Sequence, residues 1–313
     1  MEAEKTPLMN PNPAISSVRI RALPPSAGAY HHLLPNLPTT ADAEERFAHT
    51  ITAICHRDDC EAFLAENAAG AGIGLALLET EGMAPGQAKA FVTVPAEQRR
   101  RGIGSALLTT LEDAARRQGR LSLQCYVRLR EGTLPFALRN GWRETRRDMV
   151  QGVATGGSGR ADPPPVAGVS VEIRLGPSLS RAEAEAVYGA YGDAGPAFAA
   201  CVPLEDFIDR ITQERPFNQV VVAWQGGQCV GMTWGQDAEP DAVFNEFTGV
   251  RPAFAGRGIA TCLKQYLVQA AGQAGRPHLF TCNSPGNAAI LAINRRLGYE
   301  PRFELAALEK EIG

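Results

Sequence analysis

Residues 94–105, VPAEQRRRGIGS, and residues 250–261, VRPAFAGRGIAT, align without a gap at an offset of 156. In each, an apolar run ends in a valine, a short loop of arginine and glycine follows, and a helical pattern opens at once. Ile103, Leu107, Leu111 and Ala115 recur at four-residue spacing, as do Ile259, Leu263, Leu267 and Ala271, which lays one apolar stripe along each helix. Gly119 and Gly275 stop the two helices. Near an offset of 157, Ile73-Gly74 meets Val230-Gly231 and Gly141-Trp142 meets Gly298-Tyr299. One folding unit is therefore used twice.

The length of 313 residues agrees, being about twice the ~150 of one domain. Residues 151–168, QGVATGGSGRADPPPVAG, hold little that a core can bury and read as a linker, flexible at the glycines and stiff at the prolines. The expected organisation is a flexible tail over 1–16, a first domain over 17–150, the linker over 151–168 and a second domain over 169–313. Within each domain, strands are expected at 18–21 and 169–175, helical stretches at 41–67 and 180–214, and strands at 72–78 and 220–234, then at 90–94 and 243–250. The glycine loop and its helix follow, then a strand at 121–127 or 279–283 and a last helix. The fold class is α/β, with a mixed central sheet flanked by helices in each of two tandem domains.

Hydrophobic residues make up 44% of the chain and charged residues 21%, which argues against disorder. The net charge of −3 predicts no bulk attraction to nucleic acid or to an anionic membrane. It averages two unlike halves: twelve arginines against four acids lie between Arg99 and Arg147, whereas the second half is acidic. The Arg-rich stretch lacks the interleaved aromatics of a single-strand binder. Seven cysteines without a C-x-x-C, and Cys55, His56 and Cys60 read as helical, give no metal site or disulfide framework. Reduced thiols, an acidic and Pro-rich start and no apolar run near ~20 residues make a cytoplasmic protein the expectation, as a monomer or homodimer.

A strand that turns through glycines straight into a helix presents unpaired backbone N–H groups to an anion. Glycine lets the ligand approach the backbone, and arginine adds paired donors suited to phosphate. One such loop alone is weak support; two in matching contexts are strong.

These residues resemble the pyrophosphate loop, Q/R-x-x-G-x-G/A, of the GNAT superfamily of acyl-CoA-dependent N-acetyltransferases, and the resemblance extends over both halves. The tandem arrangement is similar to that of mycothiol synthase. It implies that acetyl-CoA (CoA) is held by Arg99, Arg100, Arg101, Gly102, Ile103, Gly104 and Ser105 in the first half. In the second it implies Ala255, Gly256, Arg257, Gly258, Ile259, Ala260 and Thr261. The strand ends Val92, Val94, Thr248, Val250 and Asn283 would face the pantetheine arm. Ala255 departs from the usual Gln or Arg, which removes a side chain and no backbone donor. In residues 283–299, NSPGNAAILAINRRLGY, the family pattern puts Asn287 on the CoA arm and Asn294 where a tyrosine usually protonates the leaving thiolate. An amide has no proton to lose at neutral pH. Tyr299 and Trp142 match the aromatic that packs the family's core.

Glu246 lies inside the apolar strand 243–250, VFNEFTGV, four residues before the loop valine. A carboxylate there can take the proton of an ammonium acceptor, and burial would raise its pKa toward a useful value. The same offsets match Glu246 to Ala90, Asn287 to Arg130 and Asn294 to Ala137, with Pro135 in the first turn of the corresponding helix. The expectation is an N-acetyltransferase acting on a primary amine of a small molecule, with the chemistry in the second half and a degenerate first half. Asp237, Glu239, Asp241 and Glu246 favour a cationic acceptor such as an amino sugar, polyamine or amino-acid derivative. A narrower alternative is acetylation of a cysteinyl amine, as in mycothiol synthase. A non-catalytic CoA sensor or partner-binding protein is the other class.

Overall fold

The computed structural model describes residues 18–23, 60–80, 83–129, 132–156, 162–196, 200, 202–239 and 241–313. Among these, twelve strands and six helices form two compact units of mixed α/β structure. One unit takes the described residues up to Thr145 together with Ala307–Gly313; the other takes Arg146–Ala306. No helix among the described residues is long and apolar enough to cross a membrane.

In the first unit, β1 (Arg19–Leu23), β2 (Glu61–Glu66), β3 (Gly72–Glu79) and β4 (Gln87–Thr93) form an antiparallel meander. After α1 (Ile103–Arg117), β5 (Ser122–Arg128) pairs parallel with β4. The short α2 (Thr133–Arg139), with Pro135 in its first turn, follows. The apolar stripe of α1 lies on β3 so closely that a Cβ at Gly74 would sit 2.9 Å from both Ile103 Cγ2 and Leu107 Cδ1, and only glycine permits that approach. Residues 61–66, read from sequence as helical, are β2: Ala62, Phe63, Leu64 and Ala65 are all buried between two neighbouring strands, and so short an apolar run carries no periodicity to separate the two states. The rest of that expected helix, with Cys55 and His56, and the expected 1–16 tail lie outside the described residues.

The strand β6 (Arg143–Ala154) runs through Gln151, Gly152, Val153 and Ala154, so the first four residues of the expected linker are ladder. From Arg146 it belongs to the second unit, where it pairs antiparallel with a strand of the second repeat, Met149 opposite Asn283 through Ala154 opposite His278. That pairing is long-range and leaves no mark in local composition. Conversely, the chain's end completes the first unit: Ile312 N donates to Leu121 O at 2.9 Å, and Lys310 Nζ to Glu112 Oε1 at 2.5 Å. Each repeat has given the far part of its terminal strand to the other unit.

The second unit contains β7 (Ser170–Leu175), α3 (Arg181–Ala194), α4 (Leu204–Thr212), β8 (Asn218–Gln225), β9 (Gln228–Glu239) and β10 (Ala242–Val250). Then come α5 (Ile259–Gln273), β11 (His278–Asn283), α6 (Ala288–Arg296) and β12 (Glu300–Glu311), the last as far as residue 306. Strands β7 to β10 are antiparallel in order, and β11 is parallel to β10. Alternation along β8 feeds two cores: Val221 and Ala223 pack with Ile259, Leu263 and Leu267 of α5, while Val220 and Val222 pack with Val187 of α3 and Phe207 of α4. Ser180 opens α3 through a reciprocal capping box with Glu183.

Candidate active site

The site begins where two parallel strands part. Pairing of β10 with β11 runs from Ala242 opposite His278 to Asn245 opposite Thr281 and ends there. Thr281 Oγ1 donates to the Asn245 carbonyl at 3.3 Å at this apex. Beyond it the facing backbone edge of β10 has no ladder partner among the described residues, the setting in which open α/β sheets take up ligands.

At the same point β10 holds one extra residue. In the first unit Ala90 pairs with Leu78 and Thr93 with Leu75, an even register throughout. In the second, Asn245 pairs with Gly235 and Gly249 with Met232, with a register shift between Asn245 and Phe247. The inserted residue is Glu246. Pairing therefore makes Asn245 the counterpart of Ala90 and leaves Glu246 without one, correcting the gapless match of Glu246 to Ala90. Such a bulge re-aims a side chain relative to its neighbours.

Glu246 is half-buried, and Gln236 Nε2 donates to its Oε1 at 2.5 Å. Burial raises the carboxyl above the usual glutamate range, while the Gln236 bond and the charges of Arg210 and Arg215 act the other way. Arg210 itself lies over the Trp234 ring, 5.8 Å from its centroid. Behind the bulge, Asn245 Nδ2 donates to Trp234 O and Phe247 O, both at 2.9 Å, and to Thr233 Oγ1 at 3.0 Å. Its Oδ1 accepts from Lys264 Nζ at 2.5 Å and from Thr248 Oγ1 at 3.1 Å. Lys264 is 1% exposed on α5, and burial pulls its ammonium down to about 7.

Four residues past Glu246 the chain leaves Val250, makes a 3-10 turn at Pro252–Phe254 and enters α5. Gly256 and Gly258 hold φ of 76° and 85°, and a Cβ at either would meet nothing within 4 Å, so the glycines open a cradle in front of the helix. Gly258 is the N-cap and offers no side chain to the amides of the first turn. These donors fit a pyrophosphate, and the open β10 edge fits the amide-bearing arm of CoA. Arg257 instead donates to Gln225 Oε1 and Ala167 O, both at 2.8 Å. In the first unit Gly102 (φ 84°) caps α1 in the same way, with Arg100 also left-handed at 64°. There Arg99 Nε donates to the Val94 carbonyl at 2.9 Å, Arg101 donates to Gln98, and a Cβ at Gly104 would lie 3.1 Å from the Phe136 ring.

The model of the acetyltransferase (GNAT) family matches residues 29–142 and again 185–299, most of the chain. The chain belongs to the GNAT acetyltransferase family. Its fold is similar to a GCN5-related N-acetyltransferase from Sphaerobacter thermophilus, with TM-score 0.70 and 21% identity over 94% of this chain and 96% of that one. It is also similar to a tandem GNAT protein from the clavulanic acid biosynthesis pathway, with TM-score 0.71 and 20% identity over 94% and 99%. A glucosamine N-acetyltransferase region of a fungal multi-domain β-N-acetylglucosaminidase matches with TM-score 0.62 and 12% identity, over 94% of this chain and 38% of that one. None of the curated proteins matches the chain. GNAT proteins usually bind acetyl-CoA.

Of the family-pattern residues in this GNAT protein, Val250, Ala260 and Thr261 are partly accessible at the loop, with Ile259 buried beneath it. Thr248 faces inward, its hydroxyl 2.7 Å from that of Thr233, and Asn283 Nδ2 donates to Thr281 Oγ1 at 3.3 Å. Asn287 is the N-cap of α6, its Oδ1 accepting from Ile290 N at 3.3 Å. Asn294 is 0% exposed and donates to Gln151 Oε1 at 2.8 Å. The tyrosine position of the family is thus filled by a buried amide tied to β6. Tyr299 and Trp142 are buried, as the family pattern implies. Asp237 accepts from Phe217 N at 2.6 Å and pairs with Arg276 at 2.9 Å, so it holds the end of β9 rather than facing an acceptor. The side chains sequence reasoning missed are Asn245, Lys264 and Gln236. A lysine among Cys262, Leu263 and Leu267 was the one available signal.

Proposed function

We propose that this GNAT protein transfers the acetyl group of acetyl-CoA to a primary amine of a small molecule, with the chemistry in the second unit and Glu246 as general base. The observation that carries this reading is the carboxylate on the inserted residue of β10, beside the place where β10 and β11 part. Acetyl-CoA supplies an activated acetyl group as a thioester. The amides of residues 256–261 hold its pyrophosphate, and the open β10 edge orients its arm. Glu246 takes a proton from the ammonium nitrogen, directly or through water, freeing the lone pair that attacks the thioester carbonyl; the carbon–sulfur bond then breaks, and the second proton shed by the nitrogen ends on the departing thiolate. Its raised pKa makes it a stronger base than an exposed glutamate.

Arg210 and Arg215 bring positive charge toward Glu246. They disfavour a polyamine and favour an acceptor that carries an anionic group beside its amine. Amino-acid derivatives therefore lead over amino sugars and polyamines. The test follows thiol release from acetyl-CoA with spermidine, glucosamine and a set of amino acids and their derivatives. Glu246→Gln is expected to lower kcat about 100-fold on the accepted amine. Wild-type turnover by that variant would remove Glu246 as base. Tight CoA binding with no turnover on any amine would support the sensor instead.

A further inference from the structure

Lys264 takes no part in the reaction as proposed, yet it is a buried lysine aimed at the back of the bulge. Lys264 Nζ donates to Asn245 Oδ1, and the carbonyl oxygens of Trp234 and Phe247 can only accept, so the amide nitrogen has to face those two. Holding Oδ1 fixes which way the amide faces and turns Nδ2 toward Trp234 O and Phe247 O. Those two residues pair with each other immediately after the register shift, so the amide ties the backbone on both strands where the ladder is interrupted. The other wall of the Lys264 site is the Tyr299 ring, 4.9 Å from Nζ to its centroid. The first unit supplies the contrast. The helices begin at Ile103 and Ile259, so Leu108 stands where Lys264 does, and pairing puts Ala90 where Asn245 is. Both are buried and apolar, and β4 runs beside β3 without a bulge.

We propose that Lys264 and Asn245 are a positioning pair that sets the β10 bulge and thereby aims the Glu246 carboxylate. The catalytic consequence rests on Glu246 being the base; the geometric one does not. Neither residue touches the acceptor. The pair acts through the backbone of residues 245–247.

The test uses the full chain with 13C-carboxyl-labelled glutamate, the Glu246 resonance being identified by its loss in Glu246→Gln. The double variant Asn245→Ala/Lys264→Leu installs the first unit's apolar pair, a replacement the same fold tolerates there, and Lys264→Met serves as a second variant should the double one fail to melt cooperatively. The expected result is a Glu246 titration displaced from wild type. CoA affinity by calorimetry should stay within threefold, and kcat on the accepted amine should fall at least about 30-fold while KM for acetyl-CoA changes less than threefold. A folded variant whose Glu246 titrates as in wild type overturns the proposal, as does turnover within twofold of wild type when Glu246→Gln is inactive. Should Glu246→Gln prove fully active, the base assignment fails alone. The carboxyl titration then still decides, displacement supporting the positioning pair and its absence overturning it.

Discussion

Strands β4 and β10 occupy the same place in two copies of one fold, and they differ by one inserted residue. β4 keeps its register beside β3, with Ala90 on its buried face. β10 breaks register at Glu246 and holds the break with buried polar groups. Both lead into a glycine-capped helix. The glycine-capped helix start is therefore common to the two units, whereas the carboxylate on the strand before it is confined to one. One copy thus keeps the loop without the carboxylate, so under the proposed assignment the loop alone does not tell which copy reacts.

The comparison breaks most sharply at the loops. Gly258→Glu strains a residue at φ 85° and brings a negative charge to the phosphate cradle. CoA affinity at the second unit and turnover are both expected to fall about 100-fold or more, by calorimetry and thiol release. Gly102→Glu does the same to the first loop and should alter turnover less than about threefold. Abolished turnover there, with intact folding, would end the assignment of chemistry to the second unit.

A smaller effect sharpens the role of the bulge. If the carboxylate form is the base, kcat/KM falls as pH drops through the Glu246 pKa, which burial places above that of an ordinary glutamate. This acid limb should vanish in Glu246→Gln, whose residual rate should not follow that ionisation. The linked stability runs the opposite way. A pKa raised in the folded state favours the protonated form, so its stabilising contribution is complete below the unfolded pKa and is lost as pH rises through the folded one. Glu246→Gln should therefore melt higher than wild type at pH 8 and lose that advantage in acid, as calorimetric scans at the two pH values will report.

The smallest effect tests what the units share. At Gly74 a Cβ would crowd Ile103 and Leu107, and at Gly231 it would stand 3.0 Å from Gly249 O and 3.1 Å from Val250 Cγ2. Gly74→Ala and Gly231→Ala should each cost about 1–3 kcal/mol, measured by denaturant unfolding. Equal losses would mean that the close approach of α1 at Gly74 and that of β10 at Gly231 are equally strict requirements.

The repeat, its loops, the stripes of α1 and α5 and the carboxylate at Glu246 were legible in sequence because each is a local pattern. The bulge was not, because one inserted residue in a strand leaves the flanking motifs aligned and shifts only the pairing. Glu246 was matched to Ala90 for that reason. Lys264 was hidden in a helix whose apolar stripe was otherwise correctly read, since nothing in the neighbouring residues announces that an asparagine on another element will receive it. The helical reading of 61–66 failed because four consecutive buried residues suit a strand paired on both edges as well as they suit a helix.

The exchange of the far parts of the terminal strands bears on how the protein is made. Synthesis runs from the amino terminus, and domains generally fold in that order as they emerge. Here the first unit needs Ala307–Gly313, which leave the ribosome only after the second repeat. Its sheet must wait with an uncovered edge while the whole second repeat is translated, and the two repeats reach their finished state together rather than in turn.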